Sequence, residues 1–362
     1  MKIPYRDLSV KDNKLKEELM SSVDKVLSHG RVILGPEVAE FEKESAEYCS
    51  RKFGVGMNSG TDAIYLALRS LGIGSGDEVI TTPLSWIATT NTIVLTGATP
   101  VFVDISEDLN INVDLIEAAI TPRTKAIMPV HFTGRMCKMD KILKIADMHG
   151  LHVVEDAAQA FGAASGGSRA GSFGTLGCFS MNPMKVLCAY GEAGLVVTDD
   201  EKIYEKLLSL RYAGTINKED CFYPSLNGRI DTLQAAMLSV NLRFLDEKIS
   251  NRQKVAGRYT NALKDVVKCP EDDGTEHVYY SYTIVTDKRD ELRDFLATKG
   301  IETKVQHPIL MPKHTAYKGS FECEIPVAED LVEKILCLPN EENLTDEQVD
   351  YVISMVKEFF GR

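Results

Sequence analysis

Phe53-Gly54-Val55-Gly56-Met57-Asn58-Ser59-Gly60-Thr61-Asp62-Ala63 reads as a short strand, a turn and the first turn of a helix, and the alternation it begins decides the fold. The helix runs to residue 71, and Glu78-Val79-Ile80-Thr81-Thr82 is the next strand. A helix over 85–96, a strand over 100–104, a helix over 112–120 and a strand over 125–130 come next. A helix over 139–149, closed by Gly150, then leads into His152-Val153-Val154-Glu155-Asp156. Apolar runs this short, separated by helices, predict an α/β fold: a mostly parallel sheet covered by helices on both faces.

Working outward, apolar spacing predicts a helix over 13–29, stopped by Gly30, and a second from Pro36, a proline at the first helical position, to residue 48. The amphipathic segment from about 230 to 263 reads as one linker helix out of a large domain. Beyond it, residues 279–285 alternate like a half-exposed antiparallel strand, and helices are expected over 289–299 and 345–360. The expected division is a large domain over 1–245 and a smaller C-terminal α+β domain over 246–362, with the N-terminal helix a candidate to pack on the small domain.

Composition narrows the function. The 362 residues, 44% of them hydrophobic, suffice for a large core and two domains. Lysine and arginine number 41 against 53 acidic residues, a net charge of −12. That excess argues against a general nucleic-acid or anionic-membrane binder, while a local basic pocket for a phosphorylated small molecule stays open. No apolar run approaches the roughly 20 residues a bilayer demands. The first residues lack the apolar core of a signal peptide, so a cytoplasmic location is expected. The 8 cysteines are scattered without a C-x-x-C pair, which reads as reduced thiols and no metal site. Gly72-Ile73-Gly74-Ser75-Gly76 comes after a helix and precedes a strand, the reverse of a dinucleotide loop.

Ligands of open α/β sheets bind beyond the carboxyl ends of the strands, so the residues just past each strand are the candidates for chemistry. In Cys178-Phe179-Ser180-Met181-Asn182-Pro183-Met184-Lys185 the strand ends and Pro183 forces a turn, projecting Lys185 from irregular backbone. It is either a snorkelling surface lysine or an amine in a dry pocket, able to attack a carbonyl. Ser59-Gly60-Thr61 opens a helix and suits a phosphate, or merely carries an N-cap from Thr61 or Asp62. Trp86, the only tryptophan, packs in the core or stacks on a flat ring. Asp156 ends an apolar strand and needs a partner, whether a salt bridge, a turn to cap, or a pyridinium N–H. Gln159 offers an amide donor to a phenolate, or packs a turn, and Ser180 adds a hydroxyl to a phosphate or bonds its own backbone. A phosphate cradle, a stacking aromatic, a buried Asp and a lysine at one sheet edge together meet the requirements of pyridoxal 5′-phosphate (PLP).

The chain resembles, over nearly its full length, the DegT/DnrJ/EryC1/StrS aminotransferases, PLP enzymes of fold type I that act on nucleotide-linked keto sugars. The matching segments include Leu34-Gly35-Pro36-Glu37-Val38, Asn58-Ser59-Gly60-Thr61-Asp62-Ala63, Gly97-Ala98-Thr99-Pro100-Val101-Phe102-Val103-Asp104, Pro129-Val130-His131, Glu155-Asp156-Ala157-Ala158-Gln159-Ala160, and Phe179-Ser180 with Pro183 and Lys185. The resemblance implies a seven-stranded sheet in the large domain, Lys185 as Schiff-base lysine and proton shuttle, Asp156 at the pyridine nitrogen and Gln159 near the ring hydroxyl. It places Trp86 on the ring, and Gly60, Thr61 and Ser180 at the phosphate. It implies a homodimer with a shared active site, in which Asn227 of a neighbouring copy reaches the phosphate and Arg229 helps hold the substrates. His131 and His307 are further candidate substrate contacts, although the Pro-Leu-His motif of many relatives is missing from Val305-Gln306-His307-Pro308-Ile309-Leu310. The reaction implied is transfer of an amino group from an amino acid, glutamate by family habit, to a keto sugar nucleotide for surface polysaccharide or glycoconjugate synthesis. The segment Leu187–Gly194 leans towards amination at C3. A PLP sugar dehydratase and a non-catalytic PLP-fold regulator are the alternatives; relatives that dehydrate carry histidine where this chain keeps Lys185.

Overall fold

A computed structural model describes residues 1–216 and 219–362. Among them a seven-stranded sheet is built from β1 (Phe53–Met57), β2 (Glu78–Thr81), β3 (Thr99–Phe102), β4 (Thr124–Met128), β5 (His152–Asp156), β6 (Leu176–Ser180) and β7 (Gly194–Thr198), in the order β1-β7-β6-β5-β4-β2-β3. Every neighbouring pair from β6 to β3 is parallel, and only β7 runs against its neighbours β1 and β6. The strands are apolar on both faces because both are covered. Val154, Val79 and Ala126 pack into one cluster of buried side chains, while their chain neighbours Val153, Ile80 and Ile127 pack into another on the opposite face. This is the fold type I architecture expected of the sequence, with the mostly parallel sheet sandwiched between helices.

The helices are α1 (Asn13–His29), α2 (Pro36–Tyr48), α3 (Gly60–Ser70), α4 (Ala88–Thr96), α5 (Met139–His149), α6 (Glu201–Arg211), α7 (Thr232–Arg243), α8 (Leu245–Leu263), α9 (Arg289–Thr298), α10 (Pro326–Val332) and α11 (Asp346–Phe359). The single linker helix expected over 230–263 is two helices. Phe244, at φ −98° and ψ 0°, ends α7 with its N–H on the Asn241 carbonyl, and α8 starts at Leu245. The helix expected over 112–120 is a pair of 3₁₀ turns, Val113–Leu115 and Glu117–Ala119, since the approach to Pro122 draws the preceding backbone out of the helical region.

A separate apolar cluster gathers Tyr259 and Leu263 of α8, Leu292 and Leu296 of α9, and Val349, Val352 and Val356 of α11 around an antiparallel pair, β8 (Tyr282–Val285) and β9 (Ile335–Leu338). The N-terminal helix lies elsewhere: Leu15 and Leu19 of α1 pack on Val240 of α7. The part of the N-terminus that reaches the C-terminal cluster is the extended chain before α1, where Ile3 bridges to Ile301. The strand expected over 279–285 begins only at Tyr282, because Tyr279 adopts φ +48° and takes residues 279–281 out of the pair's line.

Candidate active site

The carboxyl ends of β1, β2, β5 and β6 open onto a cavity of about 670 Å³, closed on the far side by Tyr280, Lys304 and His307. Gly60, Thr61, Trp86, Asp156, Gln159, Ser180 and Lys185 all line it. The seven are separated by up to 125 positions in the sequence, counting from Gly60 to Lys185, and the sheet brings them together.

At one end α3 begins directly on β1. Its N-cap is Ser59, whose Oγ accepts the Asp62 N–H at 3.0 Å, and the Ala63 N–H goes to the Ser59 carbonyl. The cap is therefore Ser59 and not Thr61 or Asp62, and it leaves the Gly60 and Thr61 N–H groups as the donors at the head of the helix. A Cβ on Gly60 would stand 2.5 Å from the Ser180 Cβ and 3.0 Å from its Oγ. Only glycine lets helix α3 and the end of β6 meet, and the meeting point is a cradle of backbone N–H and hydroxyl suited to a phosphate.

Asp156 sits in the floor, almost fully buried. Its Oδ2 accepts the Thr89 hydroxyl at 2.8 Å and its Oδ1 the Ala158 N–H at 3.2 Å. Since Thr89 spends its one proton on Asp156, the 3.1 Å contact between Ser85 Oγ and Thr89 Oγ1 is a donation from Ser85. Burial raises the Asp156 pKa, and Thr89, the Ala158 N–H and the Lys185 charge pull back without cancelling it. A buried carboxylate with no cation bonded to it among the described residues is the partner that a pyridinium N–H requires. Gln159 accepts the Thr133 N–H on Oε1 at 2.8 Å, which assigns its Oε1 to the protein and its Nε2 donor to the cavity it lines. Lys185 reaches in from the opposite wall, its N–H tied to the Asn182 carbonyl at 2.8 Å and its Nζ 4.7 Å from the centre of the Tyr280 ring.

Trp86 is 60% exposed at the rim, with its ring 5.8 Å from that of His307. It is thus a wall residue and not core packing. His307 lines the cavity at φ +51°, and burial, reinforced by Lys185 and Lys304, pushes its pKa down to about 3.

His131 corrects the sequence reading. It is 0% exposed and lies under the cavity floor: its Nδ1 accepts the Cys137 N–H at 3.2 Å, so its Nε2 carries the proton and donates to Glu155 at 3.0 Å. Glu155 also accepts the N–H groups of Gly171, Phe173 and Gly174, each at 2.8 Å. The pair braces the sheet and offers nothing to a substrate. Asn227 and Arg229 also lie off the wall of their own chain's cavity. The Asn227 carbonyl accepts the Asn58 amide at 3.1 Å, its Oδ1 accepts the Arg229 Nε at 2.8 Å, and the Arg229 guanidinium sits 4.4 Å over Tyr212.

The sequence reading missed Thr89, Tyr280, Lys304 and His314 on this wall. Thr89 was within reach of it, one helical turn after Trp86, whereas the other three come from the C-terminal region, where no motif marks them. Among the described residues no group of histidine, cysteine and carboxylate side chains is placed to hold a metal ion, and no helix is long and apolar enough to cross a membrane.

A phosphate cradle, a buried carboxylate and a lysine amine share one cavity, and the sequence model of the DegT/DnrJ/EryC1/StrS aminotransferase family matches residues 13–357. The chain belongs to that family. A pleiotropic regulatory protein of Geobacillus stearothermophilus is 42% identical, with 99% of each chain covered. The dTDP-3-amino-3,4,6-trideoxy-alpha-D-glucose transaminase of Streptomyces venezuelae is 40% identical over 100% of this chain and 97% of its own. Of solved structures, that of S. venezuelae DesV in complex with a ketimine intermediate superposes with a TM-score of 0.97, at 40% identity over 100% of this chain and 99% of the other. The PLP form of Spr1654 from Streptococcus pneumoniae gives 0.93 at 26% identity, covering 100% and 99%. In this aminotransferase Lys185 lines the cavity together with Asp156 and Gly60.

Proposed function

We propose that the protein is a PLP-dependent aminotransferase that moves an amino group from an amino acid, L-glutamate, to a nucleotide-linked keto sugar. The observation that carries this reading is the convergence of the Gly60–Ser180 cradle, Asp156 and Lys185 on one cavity. The residues fit the cofactor: Gly60, Thr61 and Ser180 for its phosphate, Asp156 for its ring nitrogen, Gln159 Nε2 for its ring oxygen, Trp86 for one face. When bound there, the cofactor supplies the electron sink that stabilises negative charge at the carbon losing a proton.

Asp156 is the anion that keeps the ring nitrogen protonated, and its shelter from water strengthens that interaction. Lys185 Nζ would hold the cofactor through its aldehyde carbon and, when free, would serve as the base and acid that carries the proton. One amine serves as base and then as acid, so each half of the reaction uses the same atom in opposite protonation states. A homodimer in the cytoplasm is part of the proposal, with Asn227 and Arg229 reaching the neighbouring copy's cavity; their position off the wall of their own cavity favours it. The transaminase from S. venezuelae, named for a 3-amino sugar, supports amination at C3.

Purified protein mixed with PLP should show a visible absorption band that L-glutamate bleaches and a keto sugar nucleotide restores, with amine appearing in the product. A Lys185→Ala protein that still formed the normal band would overturn the assignment. The regulatory name of the relative from G. stearothermophilus favours a second reading, a PLP-fold regulator without turnover. Failure of UDP-, dTDP- and GDP-linked keto sugars alike to consume glutamate, with cofactor bound, selects it.

A further inference from the structure

Tyr280 has no part in the chemistry assigned to Lys185 and Asp156, yet two cations from distant parts of the chain meet its ring. Lys185 Nζ lies 4.7 Å from the ring centre and Arg6 Cζ 5.0 Å, and Arg6 also donates from Nη2 to the Tyr280 carbonyl at 2.6 Å. The phenol feels both: burial pushes its pKa up, but Lys185, Arg6 and Lys304 outweigh burial and leave it below its usual range.

The backbone that presents the ring is strained and tightly held. Tyr279, at φ +48°, is kept there by its N–H on His277 Nδ1 at 2.8 Å, by a ring stack on His277 at 4.0 Å and by the Asn340 amide on its carbonyl at 3.2 Å. The loop presses on Gly134, where a Cβ would come 2.9 Å from the Tyr280 nitrogen and 2.7 Å from Val278 Cγ2. Ser281 N–H then bonds the carbonyl of Thr133 at 3.2 Å, itself a left-handed residue at φ +61°, whose own N–H is the one given to Gln159. Non-glycine residues stay in such conformations only where their surroundings over-determine them, and such places cluster at functional sites. Here the chain of contacts ties the ring under Lys185 to the cavity floor.

We propose that Tyr280 is the positioning residue for Lys185, its ring face receiving the ε-ammonium whenever that group is not bonded to cofactor or substrate. The inference rests on the aminotransferase reading, because only there must the lysine be released and recaptured in every turnover. A free lysine has four rotatable bonds and a cavity of about 670 Å³ to wander in. An ammonium over an aromatic face is held by the ring quadrupole, which leucine lacks, and from that place it loses one proton to the cavity before its nitrogen bonds the aldehyde carbon of the cofactor, whose oxygen leaves as water.

The test is the rate at which cofactor-free protein captures PLP, measured by stopped-flow growth of the visible band. Tyr280→Leu should slow capture on the order of ten-fold while leaving the final band height unchanged, and Tyr280→Phe, which keeps the ring, should restore it to within about two-fold. Arg6→Gln, which loosens the ring without removing it, should slow capture in the same direction and by less; if the leucine variant does not fold, a wild-type rate in Arg6→Gln overturns the proposal. A leucine variant that captures PLP as fast as wild type overturns it, as does a phenylalanine variant as slow as leucine. Wild-type protein that captures no PLP at all would sink the aminotransferase reading itself and this inference with it.

Discussion

Gly60 and Ser180 are in contact so close that the space for one methyl group between them does not exist: a Cβ on Gly60 would lie 2.9 Å from the Ser180 Cα. The helix of one βα unit and the end of a strand that comes more than a hundred residues later are thereby locked together at the point where phosphate is to bind. Gly60→Ala must push β6 and α3 apart, at a cost of about 1–3 kcal/mol for overpacking. The expected result is a lower melting temperature and PLP lost on dialysis under conditions where wild type keeps it. An alanine variant with unchanged melting and unchanged PLP retention would show that no cradle exists there.

Asp156 carries a stability consequence opposite in sign to that of a carboxylate whose partners lower its pKa, such as Glu155. Its pKa is raised in the folded protein, so the native state holds the proton more tightly than the unfolded chain does. Stability therefore falls as pH rises through the window between the ordinary carboxylate value and the raised one, and the penalty is present in full above it. Cofactor-free Asp156→Asn should be at least as stable as wild type at neutral pH and should lose that slope. Added PLP should reverse the order, since only the acid can hold the ring nitrogen's proton, and turnover should drop on the order of a hundred-fold or more. Chemical denaturation of both proteins with and without PLP reads all of this, and an apo variant clearly less stable than wild type would refute it.

The His131–Glu155 pair is a fully buried hydrogen bond off the cavity wall. Burial alone would raise the Glu155 pKa, but the His131 proton and the Gly174 and Gly171 N–H groups bring it below the ordinary value. That stabilisation is present above the ordinary carboxylate range and is lost as pH falls through the lowered value. Glu155→Ala leaves three backbone donors and a histidine unsatisfied in the core and should cost about 3–5 kcal/mol. His131→Phe should lower stability while leaving the KM for the keto sugar unchanged per folded enzyme. A KM raised many-fold in a stably folded His131→Phe protein would return His131 to the substrate site.

These cases mark where sequence reasoning succeeds and where it stops. Strand β5 was legible because Val153 and Val154 are both apolar, which only a doubly covered strand explains, and once the strands were placed, Gly60, Asp156, Ser180 and Lys185 had to share an edge. His131 also comes after a strand, but a residue one step past a strand end turns either up into the cleft or down into the core. Glu155, its partner, stands in the adjacent strand, and no local pattern announces that pairing. Tyr280 was hidden for a related reason. Tyr279-Tyr280-Ser281-Tyr282 alternates as a strand does, and the left-handed Tyr279 that breaks it is imposed by His277, Asn340 and Gly134, contacts of tertiary origin. The division of 230–263 at Phe244 is of the same kind, as both halves are helical by propensity and the turn between them is made by what they pack on.

His307 is the cavity histidine that should not titrate near neutrality. Burial and the charges of Lys185 and Lys304 push its pKa down to about 3 from an ordinary 6.5. The unfolded chain thus binds more protons than the native one between those values, so this histidine's contribution makes stability rise with pH across that window and is lost as pH falls towards about 3. In the working range it is a neutral ring lining the cavity, so any contact it makes with a substrate is a hydrogen bond and not a counter-charge. Its imidazole resonance should hold a constant chemical shift from about pH 5 to pH 8, where an unperturbed histidine titrates. His307→Asn should then keep the shape of the pH–rate profile while raising the KM for the keto sugar. A resonance that moves with a midpoint near 6.5, or a profile that loses a limb in the asparagine protein, would mean that His307 carries charge during catalysis and that the cavity is wetter than its walls imply.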